Sequence, residues 1–166
     1  MDIDALLRRV YGHAKHGARF GHAKVGGYDV LLRGLSPLVA TVSTPLAAPV
    51  VAATRLRNGA ASSMKGAASL LTEALSTARA AGATGQLLVR ADSQFYAGKL
   101  ICAARRAGAR VSITVGSSPA RQHAINAIPD GRWQPVHYPQ AVLDPDTGEL
   151  ISDAQVAETG KLIHKC

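Results

Sequence analysis

Two short acidic motifs are the residues best suited to chemistry, and they stand far apart in the chain. The first is Met1-Asp2-Ile3-Asp4-Ala5-Leu6-Leu7, where strand alternation puts Asp2 and Asp4 on one face and Ile3 and Ala5 on the other. Two carboxylates side by side on a strand repel unless a cation or water screens them. Magnesium takes such hard oxygen ligands, and one or two carboxylates with waters and phosphates suffice to hold it. A solvated chain end is the plainer alternative for this motif. The second is Leu87-Leu88-Val89-Arg90-Ala91-Asp92-Ser93-Gln94-Phe95-Tyr96. An apolar run reaches a single carboxylate, Asp92, and then breaks into Ser-x-aromatic. An aspartate at the carboxyl end of a buried strand lies where open α/β sheets place their ligands. The same residue is equally suited to capping the helix that follows.

Basic residues crowd behind the first motif. Arg8, Arg9, His13, Lys15, His16, Arg19, His22, Lys24 and Arg33 fall in the first 33 residues, against three acids. Between Gly12 and Gly27 apolar periodicity is weak, so the segment reads as a glycine-punctuated basic loop or ribbon. Arg8, Arg9, Lys15, Arg19 and Lys24 are candidate phosphate contacts, which supply affinity without sequence information. A solvated loop that aids solubility is the alternative. His13-x-x-His16 brings two imidazoles close, but no Cys or Glu nearby completes a zinc pattern. The whole chain has 19 Lys+Arg against 11 Asp+Glu, a net charge of +8 and a pI near 10.0, a balance that favours polyanionic partners.

These motifs need elements to position them. Leu38–Ser43 and Val50–Leu56 read as strands joined by a proline-bearing turn, forming with the Asp4 strand an antiparallel meander. Asn58-Gly59 is a turn signal. From Lys65 to Ala81 the positions Ala67, Leu70, Leu71, Ala74 and Leu75 repeat at helical spacing, and Gly82-Ala83-Thr84-Gly85 ends that helix. A second helix is expected from Phe95 to Ala107, with Leu100, Ala103, Ala104 and Ala107 on one side, then a strand at Val111–Val115. A strand–helix–strand unit implies parallel neighbours and a right-handed crossover. Pro119–Ile128 reads as a short helix and Trp133–Tyr138 as an exposed strand or loop. There Trp133, Tyr138, Arg132 and His137 fit a core edge better than a base-stacking platform. Asp144-Pro145-Asp146-Thr147-Gly148-Glu149 reads as a turn.

At 166 residues and 47% hydrophobic, the chain has apolar content for one core. Cys102 and Cys166 lack metal-ligand spacing, and Cys102 sits in an apolar helical pattern, so a buried, unpaired thiol is the expectation there. No secretory leader is apparent, and the apolar stretch Pro37–Ala53 is too interrupted by Pro45 and Pro49 to span a membrane. A cytoplasmic location follows by elimination.

From about residue 2 to about residue 159 the chain resembles DDE transposases of bacterial insertion sequences, in particular the actinobacterial type of transposase DDE domain group 1. The likeness is carried by Asp2-Ile3-Asp4, Val10-Tyr11-Gly12-His13-Ala14-Lys15, Phe20-Gly21-His22-Ala23-Lys24-Val25-Gly26-Gly27-Tyr28 and Leu35-Ser36-Pro37-Leu38. It continues in Arg55-Leu56-Arg57-Asn58-Gly59, Arg90-Ala91-Asp92-Ser93-Gln94-Phe95-Tyr96 and Ile151-Ser152-Asp153-Ala154-Gln155-Val156-Ala157-Glu158. The resemblance implies a ribonuclease H-like α/β fold: a three-stranded antiparallel meander followed by alternating helices and strands, with first and fourth strands adjacent. It further implies Mg2+ or Mn2+ held by two aspartates and a glutamate, and cleavage and transfer of DNA at transposon ends in bacterial cytoplasm. By position Asp4 is the first carboxylate, with Asp2 as its alternative, and Asp92 is the second. A small hydroxyl residue often follows the first aspartate in such enzymes, and Ala5 stands there in this chain.

A third carboxylate is not apparent. The acids after Asp92 are Asp130, Asp144, Asp146, Glu149, Asp153 and Glu158, and none matches the family's catalytic helix. After Thr159 the likeness stops, leaving residues 160–166 as a non-matching tail. The expectation is a catalytic domain incomplete at its C-terminus, impaired in strand transfer, with DNA, a second copy or a full-length transposase as partner. A DNA-binding remnant or regulator without catalysis is the alternative, and a small metal-dependent phosphoesterase a more distant one.

Overall fold

The computed structural model describes residues 1–136, 138, 141–149, 154–160 and 166. Contacts divide it into two units, one of residues 1–115 with Cys166 and one of residues 116–165. The first unit contains β1 (Asp2–Ala5), β2 (Arg8–Arg9), β3 (Arg19–Val25), β4 (Tyr28–Leu35), β5 (Leu38–Thr44), β6 (Ala47–Arg55), α1 (Ala67–Ala80), β7 (Leu88–Ala91), α2 (Gly98–Arg106) and β8 (Arg110–Ile113).

The expected mixed α/β architecture is present. Five strands form one sheet in the order β6-β5-β1-β7-β8. β1, β5 and β6 run as an antiparallel meander, while β7 lies parallel to both β1 and β8. Pro45 and Leu46 make the turn between β5 and β6. Pro49 falls on β6, an edge strand, where a missing N–H need not break a ladder bond.

Alternation decides which face is covered. Ile3, Leu38, Ala40, Ala53 and Val89 are buried and form one core with Leu70, Leu71, Ala74 and Leu75 of α1 and Leu100 of α2. Fully burying each large aliphatic side chain contributes about 1.5–3 kcal/mol, so this layer holds the sheet flat against the two helices. The opposite face carries Asp2, Asp4, Thr41 and Arg90.

Helix boundaries shift for local reasons. Gly66 adopts a left-handed conformation at φ 80°, so α1 begins at Ala67 rather than at Lys65. The helix expected from Phe95 is split. Residues Ser93–Phe95 form a 3-10 turn, Tyr96 and Ala97 are extended, and α2 starts only at Gly98. Phe95 is fully buried, and bringing its ring into the core fixes the turn ahead of the helix. Ala107, expected on the buried side, is instead the exposed cap of α2.

The segment between β1 and β5 is a ribbon rather than a loop. β3 and β4 pair along their length, closing at Gly26-Gly27, and β2 adds a third strand beside β4. Its root is cramped: a Cβ on Gly59 would collide with the carbonyl oxygens of Arg19 and Gly34, and one on Gly21 with that of Gly59. Only glycine allows the ribbon to approach the Asn58-Gly59 turn this closely.

Cys102 and Cys166 are joined in a disulfide with their Cα atoms 5.3 Å apart. This corrects the expectation of a buried, unpaired Cys102; the pairing closes 64 positions of chain, a separation from which no sequence spacing rule could infer it.

The second unit holds α3 (Pro119–Asn126), capped by the Ser118 side chain, a 3-10 turn at Asp130–Arg132, and an antiparallel pair of β9 (Gln134–Val136) and β10 (Ala154–Val156). Residues 144–149 form the expected turn, in which the N–H groups of Asp146 and the hydroxyl and N–H of Thr147 hold the Asp144 carboxyl below its ordinary pKa. His137, Asp153, residues 151–152 of the last matched stretch and residues 161–165 of the tail lie outside the described residues. Among the described residues no helix is long and apolar enough to cross a membrane.

Candidate functional site

The parallel pairing of β1 with β7 sets Asp2 opposite Arg90. Further along, Asp4 is the penultimate residue of β1, and Asp92 follows directly on the end of β7 at Ala91, so the two stand at the same end of neighbouring parallel strands. Adjacent strands lie about 4.8 Å apart, so both carboxylates stand at one end of the sheet. Both side chains are exposed. Asp4 Oδ1 accepts the N–H of Ala5 at 2.7 Å, and Asp92 Oδ1 accepts that of Gln94 at 2.9 Å. Neither aspartate is in an ion pair among the described residues.

Asp92 therefore serves as a cap, but of the short 3-10 turn and not of α2. Capping uses one oxygen and aims the carboxylate along the strand edge, which leaves the second oxygen for a ligand. The two readings of this residue are compatible.

Asp2 differs. Arg90 Nε donates to its Oδ1 at 2.8 Å and Arg90 Nη2 to its Oδ2 at 2.9 Å, a bidentate pair that also raises the guanidinium pKa. Both Asp2 oxygens are thereby occupied by a partner of fixed geometry. Of the two, Asp4 keeps a carboxylate oxygen without a partner among the described residues.

Arg8, Arg9, Lys15, Arg19 and Lys24 are all exposed. Arg8 and Arg9 stand on β2, opposite Leu35 and Gly34, and the Arg9 guanidinium lies 4.8 Å from the centre of the Tyr11 ring. Arg19 and Lys24 mark the two ends of β3, with Lys24 across from Asp29. Lys15 follows Ala14, which has φ 50°, in the turns before β3, and His13 and His16 are exposed there. Among the described residues no group of three or more His, Cys, Asp or Glu could hold a metal. The described acids after Asp92 belong to the second unit.

Sequence reasoning missed the structure beside the carboxylates. A cleft of about 560 Å³ opens where β1 ends, bounded by Ala5, Phe20, His22, the 59–64 turn and Gln94. Asp4 and Asp92 border it through their neighbours Ala5 and Gln94 but do not line it. One wall is set by Arg57, which is only 8% exposed. Its Nη1 donates to the carbonyls of Ser62, Ser63 and Lys65 at 2.9, 3.1 and 2.9 Å. Its Nε donates to the Ser36 carbonyl at 2.9 Å and Nη2 to Ser36 Oγ at 3.1 Å. Burial pushes its pKa down, because desolvation disfavours the charged form. Ser63 Oγ in turn donates to Gln94 Oε1 at 2.5 Å, tying the turn to the Asp92 segment. A lone arginine beside an Asn-Gly turn carries no hydropathy signal of such a role.

Compared with family models, with curated proteins and with solved structures, the chain finds no match.

Proposed function

We propose that this chain is a metal-dependent DNA-processing domain of the transposase type, with Asp4 and Asp92 as two of its carboxylate ligands. The observation that carries the reading is their placement at the carboxyl ends of adjacent parallel strands, Asp4 within β1 and Asp92 just after β7. The sheet order, an antiparallel meander whose first strand neighbours the fourth, supports a ribonuclease H-like fold as the resemblance implies. Both aspartates keep an oxygen uncommitted, and hard oxygens completed by water and phosphate are what magnesium or manganese accepts. Such an ion would activate a water or 3′-hydroxyl and stabilise the leaving oxygen of a phosphodiester. The chain's own contribution is to aim the carboxylates and, through Arg8, Arg9, Lys15, Arg19 and Lys24, to hold the DNA backbone beside them.

DNA binding without cleavage is the second reading. It is favoured by one observation: Arg8, Arg9, Lys15, Arg19 and Lys24 are all exposed.

The test is nicking of duplex DNA by the purified chain in Mg2+ or Mn2+. Metal-dependent nicking that is lost in Asp4→Ala and Asp92→Ala, yet kept in Asp2→Ala, is the expected result. Nicking untouched by Asp92→Ala would end the proposal. Binding that weakens with salt, at a slope near 0.9 per phosphate contact, and is never accompanied by nicking selects the second reading.

A further inference from the structure

We propose that the cleft at the end of β1 is a binding site for the base of an unpaired nucleotide. The inference rests on the polynucleotide reading and deepens it by naming what part of the substrate sits beside the carboxylates.

The lining decides the ligand's chemistry. No Lys, Arg, Asp or Glu is among the residues around the cleft. An isolated phosphate or an acidic peptide seated within the cleft would find no cation in its lining. A lipid chain would strip water from His22, Ser62, Ser63 and Gln94 without replacing their hydrogen bonds. What fits is a flat, uncharged group with an apolar face and a polar edge. Phe20 offers such a face, with its ring 60% exposed at the rim, and Met64 gives a polarizable apolar wall. Gln94 offers the edge: Ser63 fixes its Oε1, and its Nε2 has no partner among the described residues. A volume of about 560 Å³ is within the ordinary range of small-molecule sites, ~300–1,000 Å³.

The charges a nucleotide would need lie just outside. Arg19 and Lys24 flank the Phe20–His22 segment in β3 and are exposed to its phosphates. Bases inside a duplex are stacked and cannot enter, so the occupant comes from a strand end or an unpaired position. The turn is held in place before any ligand arrives, by Arg57 on the Ser62, Ser63 and Lys65 carbonyls. Little ordering is left to do on binding.

The test compares three fluorescent DNAs bound by the full chain without divalent metal: a blunt duplex, the same duplex with a short 3′ overhang, and that overhang with its bases replaced by abasic sites. The intact overhang is expected to bind about tenfold tighter than the abasic one, in line with base stacking on an aromatic side chain. Phe20→Ala and Gln94→Leu, both at exposed positions, should bring the intact overhang down to the abasic level and leave the blunt duplex unchanged. Equal affinity for intact and abasic overhangs overturns the proposal, as does a preference that survives both substitutions. Because these readings need no cleavage, a negative result in the nicking assay is separable from them. Absence of binding to any of the three DNAs would sink the polynucleotide reading itself.

Discussion

Replacing Arg57 with methionine tests whether one buried guanidinium organises the turn beside the carboxylates. The substitution keeps most of the side-chain volume, so a cavity contributes little and the loss is of hydrogen bonds. Five are donated from three nitrogens, all between 2.9 and 3.1 Å. A hydrogen bond from a charged group contributes about 1.5–3 kcal/mol net, but five on one side chain are not additive. Burying the guanidinium costs several kcal/mol, which offsets part of the sum. The Ser36 acceptors are buried and would be left without a partner, whereas the exposed Ser62 and Lys65 can turn their carbonyls to water. These considerations place the loss at about 3–5 kcal/mol, the range seen when one partner of a buried charged network is removed. With a urea slope of about 2 kcal/mol/M, the unfolding midpoint should fall by roughly 2 M at unchanged slope. Arg57→Lys should lose about half as much, since an ammonium is a point donor and cannot span Ser36 and the 62–65 carbonyls together. A methionine variant whose midpoint stays within about 0.3 M of the parent would refute the account, because five bonds of that quality cannot vanish silently.

Three further outcomes follow from the same coordinates. Gly59→Ala should cost about 1–3 kcal/mol, or detach the ribbon, because its Cβ meets two backbone oxygens that cannot move aside, while Gly131→Ala, with open space around it, should be neutral in the same denaturation series. Mg2+ at a hundredfold excess over its Kd should stabilise the protein by about 2.7 kcal/mol in a thermal melt. Asp4→Asn and Asp92→Asn should abolish that shift, and Asp2→Asn should keep it, since its pair with Arg90 is exposed; a shift that survives both of the first two variants removes the metal from this site. Reduction of the Cys102–Cys166 disulfide should lower stability by up to about 4 kcal/mol on loop-closure grounds, with Cys166→Ser giving the same midpoint and no further response to reductant.

Much of the sheet could be read from the chain because its signals are local. Alternation in β1 and β5, the Pro45 turn, the Leu70-Leu71-Ala74-Leu75 stripe and the glycines after α1 each act within a few residues. The pairing of β1 with β7 is not local, yet the strand–helix–strand order of the second half restricts it to few topologies. What escaped were features set by tertiary contact. Phe95 belongs to a helical pattern by spacing, but its burial in a 3-10 turn depends on the core beneath it. Arg57 reads as one more surface cation in a basic chain, although its fate is decided by carbonyls from the turn at 62–65 and from Ser36. The three-glycine approach at Gly21, Gly34 and Gly59 joins positions scattered over 39 residues of sequence. The disulfide likewise rests on a separation of 64.

The position of the basic ribbon follows from topology, and that is the strongest physical reason to treat ribbon and carboxylates as one site. β1 leaves the sheet at the end that carries Asp4. β5 re-enters at that same end, since Ala5 pairs with Leu38 in an antiparallel ladder. Anything inserted between them must emerge at this edge and nowhere else. β7 runs parallel to β1, so its carboxyl end, with Asp92, opens onto the same edge. The cationic insertion thus springs from the same end of the sheet as Asp4 and Asp92, neither of which is in an ion pair among the described residues. A solubility loop could have been placed on any connection of the fold at lower cost. Placing it on this connection, with its root packed closely at Gly21, Gly34 and Gly59, is the arrangement that the proposed phosphodiester reading requires. An arrangement in which Arg19→Ala and Lys24→Ala weaken DNA binding while the carboxylate variants leave every DNA-dependent activity intact would separate the two halves and remove that reason.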